Sequence, residues 1–153
     1  MTLIDLVKEL PRHPTKRYAL RSSKFLRGIV IHHSAGRGTP QQVARYHVEK
    51  LGWPGIGYHY MIGSGGTIYK VNNVSTLSYH CAGSNKVSIG VCLIGNFEIE
   101  EPTKEQLTAL HELVTILRNS TQNKLWVKGH RELTATDCPG HHLFAKLPVL
   151  FSV

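Results

Sequence analysis

Metal-ligand residues sit at two distant places in this chain, His32 and His33 near its start and His130 with Cys138 near its end, and any fold that uses them must bring those places together. Two histidines and a cysteine are the donors a catalytic zinc takes when three protein ligands leave a fourth position for water. The later pair lies in Lys128-Gly129-His130-Arg131-Glu132-Leu133-Thr134-Ala135-Thr136-Asp137-Cys138-Pro139-Gly140, where a loop-forming stretch separates the ligand types and Pro139-Gly140 marks a turn. The earlier pair closes Gly28-Ile29-Val30-Ile31-His32-His33, a β-branched run that presents imidazoles at its C-terminal end. Alternation along a strand sends Val30 and His32 to one face and Ile31 and His33 to the other, so only one of the two histidines joins a metal from there. Spacing alone does not choose between them.

At 153 residues with 41% apolar side chains, the chain fits one domain with a real core. No stretch approaches the ~20 apolar residues that span a bilayer, and the start lacks the basic, apolar, small-residue order of a secretion signal. Synthesis in the cytoplasm, no membrane insertion and a monomer are the expectations. Three cysteines cannot all pair, and Cys92 lies in Ile89-Gly90-Val91-Cys92-Leu93-Ile94, which reads as a buried strand, so a disulfide scaffold is not expected. Cys81 sits in a loop context beside His80, Ala82 and Gly83. A net charge of +8 attracts polyanions through salt-screened forces. Lys8, Arg12, Lys16, Arg17, Arg21, Lys24 and Arg27 form the densest basic group, but no recognition motif accompanies them. They read as a solvated face that attracts nucleic acid, anionic lipid or anionic wall polymers only loosely, with no specific nucleic acid partner expected.

Residues 1–27 combine Leu3, Leu6, Val7 and Leu10 with a break from Pro11 to Pro14 and a basic stretch, an N-terminal arm packed on a domain of residues 28–153. Thr39-Pro40 opens a helix that Gly52 closes, with Val43, His47 and Leu51 on a shared face. Tyr58 to Ile62 and Thr67 to Val71 flank Gly63-Ser64-Gly65-Gly66 as a β-hairpin. Thr103 and Gln106 form a capping box for a helix whose Leu107, Leu110, Val114 and Leu117 repeat at helical spacing. Leu125 to Gly129 reads as a strand leading into His130, and His142 to Lys146 as a short helix ending before Pro148. Interleaved strands and helices predict an α/β fold with a central mixed sheet flanked by helices.

With these residues laid out, the chain resembles the zinc-dependent N-acetylmuramoyl-L-alanine amidases, the family shared by phage amidase-type lysozymes and peptidoglycan recognition proteins. Five blocks carry the resemblance in matching order: Ile31-His32-His33-Ser34-Ala35, Gly57-Tyr58-His59-Tyr60, Gly66-Thr67-Ile68-Tyr69, Ser88-Ile89-Gly90-Val91-Cys92-Leu93-Ile94-Gly95, and Gly129-His130-Arg131-Glu132 through Cys138-Pro139-Gly140. The resemblance implies that family's fold and one zinc ion held by His32, His130 and Cys138, with His33 buried and hydrogen-bonded on the other face. It implies a bacteriolytic peptidoglycan hydrolase in which zinc-activated water cleaves the amide between N-acetylmuramic acid and L-alanine.

By the same match Tyr58 is the active-site tyrosine, and Thr136 stands where related phage enzymes carry a lysine and many active recognition proteins a threonine. A neutral hydroxyl donates one hydrogen bond without positive charge. Another branch places a glutamate where this chain has Cys92, which reads as core. His80 resembles a histidine lining the substrate cleft, with a plain loop histidine as the alternative. Glu132 reads as an acceptor for a ligand imidazole or a surface acid. The resemblance suits a phage or prophage endolysin that reaches the cell wall after release. Its alternatives are a recognition module that binds peptidoglycan without cutting it, which the presence of Cys138 disfavours, and a bacterial autolysin or wall-recycling amidase.

Overall fold

Two strands of uninterrupted burial, β3 (Gly28–His33) and β7 (Ser88–Leu93), form the centre of the molecule, as expected when both faces of a sheet are covered. The computed structural model describes residues 1–151. β3 pairs in parallel with β7 on one side and with β8 (Trp126–Gly129) on the other, and β4 (Tyr60–Ile62) runs parallel to β7. β4 turns back antiparallel into β5 (Ile68–Lys70), so the six-stranded sheet is mixed, in the order β1 (Leu3–Asp5)-β5-β4-β7-β3-β8. The edge strand β1 (Leu3–Asp5) pairs in parallel with β5, so the first residues extend the sheet itself.

Alternation divides the core in two. Ile29 and Ile31 of β3, with Ile89, Val91 and Leu93 of β7, face helix α2 (Lys104–Ser120), which buries Ala109, Leu110, Leu113, Val114 and Leu117. Cys92 and Met61 face the opposite way, towards Ala44 and Val43 of helix α1 (Pro40–Glu49) and towards Leu6 and Leu10. His32 pairs with Cys92 in register and shares its face. The site therefore lies on the α1 side.

Both long helices begin as their sequences dictate. Thr39 with Gln42, and Thr103 with Gln106, form reciprocal capping boxes. Gln106 is also buried, and its Nε2 donates to the carbonyls of Ile62 (3.2 Å) and Ile94 (3.0 Å), tying the start of α2 to the ends of β4 and β7. Each such bond contributes about 1 kcal/mol.

Three local expectations are corrected. Leu51 lies beyond the end of α1 and is exposed, and the helix instead buries Pro40, Ala44 and His47. The last segment forms two short helices, α3 (His141–Phe144) and α4 (Leu147–Phe151), and Pro148 sits in the first turn of α4, where a missing N–H costs nothing. Arg21 does not belong to the solvated basic face. It is only 6% exposed and donates to the carbonyls of Val74 and Ser88, beside the ribbon of β2 (Ala19–Leu20) and β6 (Thr76–Leu77). That ribbon had no expectation from sequence, because two-residue strands carry too little pattern. Among the described residues no helix is long and apolar enough to cross a membrane, and all three cysteines are free.

Candidate metal centre

Because β3 and β8 are parallel neighbours, their C-terminal ends open on the same edge of the sheet, the usual place for a ligand in such layers. His32 is the fifth residue of β3, and His130 follows β8 directly. The loop from His130 then returns Cys138 to the same point. Arg131 holds that loop closed: its N–H donates to Cys138 O (2.9 Å), and its guanidinium reaches Asp137 O (2.5 Å) and Glu98 (3.0 Å). Gly140 has φ 93°, and a Cβ there would lie 2.5 Å from the Phe97 backbone, so the turn after Cys138 needs glycine.

One ligand atom each from His32, His130 and Cys138 lie within 4.8 Å of one another. His32 Nδ1 stands 3.6 Å from Cys138 Sγ. Bonds of ~2.0–2.3 Å to a tetrahedral zinc place nitrogen and sulfur ligands about 3.5 Å apart, so this pair already has the required spacing. The buried His130 Nδ1 has no hydrogen-bond partner. Burial, reinforced by nearby His80 and His130, pushes His32 well below the ordinary histidine range, and burial lowers His130 as well. Both rings are therefore neutral, the form that binds metals. Burial raises the Cys138 thiol to about 12, while the His33 N–H at 3.4 Å and Arg131 act in the opposite direction. A thiol so placed ionises beside a bound cation, which strips its proton outright. The donor set fits a metal ion.

The alternation at His32 and His33 is resolved by geometry. His33 points to the α2 side, where its Nδ1 accepts the Phe97 N–H at 3.1 Å. Tyr58 packs its ring 5.1 Å from that of His32, and burial, with the thiols of Cys92 and Cys138 nearby, pushes its phenol well above the usual tyrosine value. It remains a neutral O–H donor. Thr136 is exposed, and its Oγ1 accepts the Cys138 N–H at 3.2 Å, leaving its own proton free to donate. Cys92 is buried in the core cluster that includes Met61 and Ala44.

These residues line a cleft of about 400 Å³ whose far wall is aromatic, with Trp53 4.7 Å from the His47 ring and 5.9 Å from Tyr79. His80 also borders this cleft, but its nitrogens are turned inward, towards His32 Nε2 (3.0 Å) and Ser88. Glu132 does not touch a ligand imidazole. Its carboxylate accepts the Gly129 N–H at 2.7 Å and caps the turn that carries His130.

The model of the N-acetylmuramoyl-L-alanine amidase family matches residues 22–141, which span both ligand segments and the strands that join them. The chain belongs to this amidase family. Peptidoglycan-recognition protein SC1a of Drosophila melanogaster is 29% identical over 142 residues, covering 86% of this chain and 77% of that protein. An endolysin N-acetylmuramoyl-L-alanine amidase of Clostridium intestinale superposes with a TM-score of 0.80 at 28% identity, covering 97% of this chain and 93% of that one. Drosophila peptidoglycan recognition protein SD reaches 0.86 at 27% identity, over 95% and 92%. An α/β domain with a central mixed sheet flanked by helices is the architecture these structures share with this chain.

Three residues that shape the site, His47 and Trp53 in the cleft and Arg131 behind the Cys138 loop, escape a reading of the sequence. His47 passes for a core position on an amphipathic helix, yet its Nδ1 accepts the Gly57 N–H at 3.0 Å and so fixes the segment that carries Tyr58. Trp53 lies in a loop without pattern, and Arg131 resembles any surface cation next to a ligand. Only a pairing of distant contacts reveals them.

Proposed function

We propose that this chain is a peptidoglycan hydrolase that cleaves the amide bond between N-acetylmuramic acid and the L-alanine of the stem peptide, with zinc bound by His32, His130 and Cys138. The observation that carries this reading is the convergence of those three donors on the lining of one cleft. Zinc, when bound, supplies Lewis acidity and a water acidified towards neutral pH.

The chain's own residues supply the remaining requirements. The Tyr58 phenol, kept protonated by burial, donates a hydrogen bond towards the negative charge that develops on the amide oxygen. The Thr136 hydroxyl, anchored by the Cys138 N–H, offers a second neutral donor to the same cleft. Trp53 and Tyr79 offer flat faces on which apolar parts of a glycopeptide can rest. The basic surface adds attraction to anionic wall polymers. The likeness to the Clostridium endolysin supports a phage or prophage endolysin, made in the host cytoplasm and acting on the wall after release.

Mass spectrometry of peptidoglycan digested by the native protein and by Cys138→Ala tests this directly. Free L-alanine amino termini in the native digest alone are expected. Digests with intact muramoyl amides, or equal cleavage by the variant, contradict the proposal.

A further inference from the structure

We propose that His80 is a positioning residue of the metal centre: one hydrogen bond to His32 fixes that ring's tautomer and turns its Nδ1 lone pair towards His130 and Cys138. The inference rests on the metal-centre reading above and assigns His80 a role other than lining the cleft.

The proton positions follow from the acceptors at the far end of the chain of contacts. His80 Nε2 lies 3.3 Å from Ser88 O and 3.3 Å from Ser88 Oγ. The Ser88 hydroxyl already donates to Ser84 O at 2.7 Å, so Ser88 presents acceptors only. His80 Nε2 therefore carries the proton, and in the neutral ring Nδ1 is the acceptor. Its partner at 3.0 Å is His32 Nε2, which must then be the N–H. What remains on His32 is the Nδ1 lone pair, facing Cys138 Sγ at 3.6 Å. A ligand imidazole whose second nitrogen donates to a fixed acceptor has its orientation and basicity set by that partner.

The His80 ring has little freedom to do otherwise. A Cβ on Gly90 would lie 2.7 Å from His80 Cγ, so only glycine at that point of β7 leaves room for the ring. His59 stacks edge-on at 5.7 Å and is itself held, its Nδ1 accepting the Gly90 N–H and its Nε2 donating to Thr76 O. Asn85 Oδ1 accepts the N–H groups of His80 and Cys81 at 2.9 and 2.7 Å, fixing the backbone as well. With both ring nitrogens engaged inside the protein, none is left for a substrate.

The test measures zinc(II) affinity, without substrate, by competition against a chromophoric chelator for the native protein, His80→Leu and His80→Asn. Leucine fills the space without an acceptor; asparagine returns a carbonyl oxygen near the position of Nδ1. His80→Leu is expected to weaken zinc binding by about 10–100-fold, the usual effect of losing a partner to a ligand imidazole, and His80→Asn to restore affinity close to native. In parallel, long-range proton–nitrogen spectra of the zinc-loaded native protein are expected to show His32 and His80 both protonated at Nε2. Unchanged affinity in His80→Leu with a raised KM on a soluble muropeptide overturns the proposal, as does a proton on His80 Nδ1. The spectrum decides alone if the variants do not fold. Native protein that binds zinc but cleaves nothing overturns the amidase proposal and leaves this one standing; native protein that binds no zinc overturns both.

Discussion

His32 Nδ1 and Cys138 Sγ are 3.6 Å apart across 106 residues of sequence. That contact closes only after β3, β7 and β8 have assembled in register, so the site exists in the folded state and not in the unfolded one. Metal binding must therefore stabilise the fold by mass action. At zinc concentrations 100 times Kd the gain is about 2.7 kcal/mol, which for a domain of this size raises Tm by about 5–10 °C. Thermal melts with and without zinc should show this rise for the native chain and lose most of it for Cys138→Ala. Equal shifts in both would place the ion elsewhere.

Tyr58 reaches the cleft as a neutral phenol beside His32. Tyr58→Phe removes a single donor and keeps the ring that packs there. Loss of one oxyanion donor costs about 10²–10³ in kcat, so turnover of a soluble muropeptide should fall by that factor while KM changes little. A raised KM at native kcat would make Tyr58 a binding residue instead.

Acid should destabilise the folded chain beginning just below neutrality. Burial lowers His47 from 6.5 to about 4 and His59 to about 3, and His32, His80 and His130 shift the same way. Each folded value lies below its unfolded one, so the unfolded chain takes up more protons as the pH falls through about 6.5. The stabilisation is complete above that pH and declines until the folded chain protonates too, near 4 for His47 and 3 for His59. Thermal midpoints in the presence of chelator should fall steadily from about pH 7 to about pH 4. A flat profile across that window would mean these rings titrate as exposed groups do.

Salt should separate wall attraction from catalysis. The charge of +8 acts over a screening length of ~10 Å at 0.1 M salt and ~3 Å at 1 M. Cleavage of intact walls should drop more steeply with added salt than cleavage of a small muropeptide, which gains little from long-range attraction. Parallel salt curves would remove the electrostatic contribution.

Much of this architecture is legible in the chain because the signals are local. The capping boxes at Thr39 and Thr103, the glycine-rich hairpin between β4 and β5, and the two ligand segments all announce themselves within a few residues. The choice of His32 over His33 is different in kind: the resemblance implied it, but spacing could not, since it depends on which face of β3 meets α1, a property of the assembled sheet. Arg21 shows the same limit from the opposite side: its charge reads as surface until the carbonyls of Val74 and Ser88 are seen around it. The inward turn of His80 depends on the missing side chain of Gly90, ten residues away in sequence.

Elemental analysis of purified, folded protein tests the central claim most directly. One zinc per chain in the native protein and none in Cys138→Ala is the expected result. A native chain that folds and carries no stoichiometric metal would contradict the assignment of His32, His130 and Cys138 as its ligands.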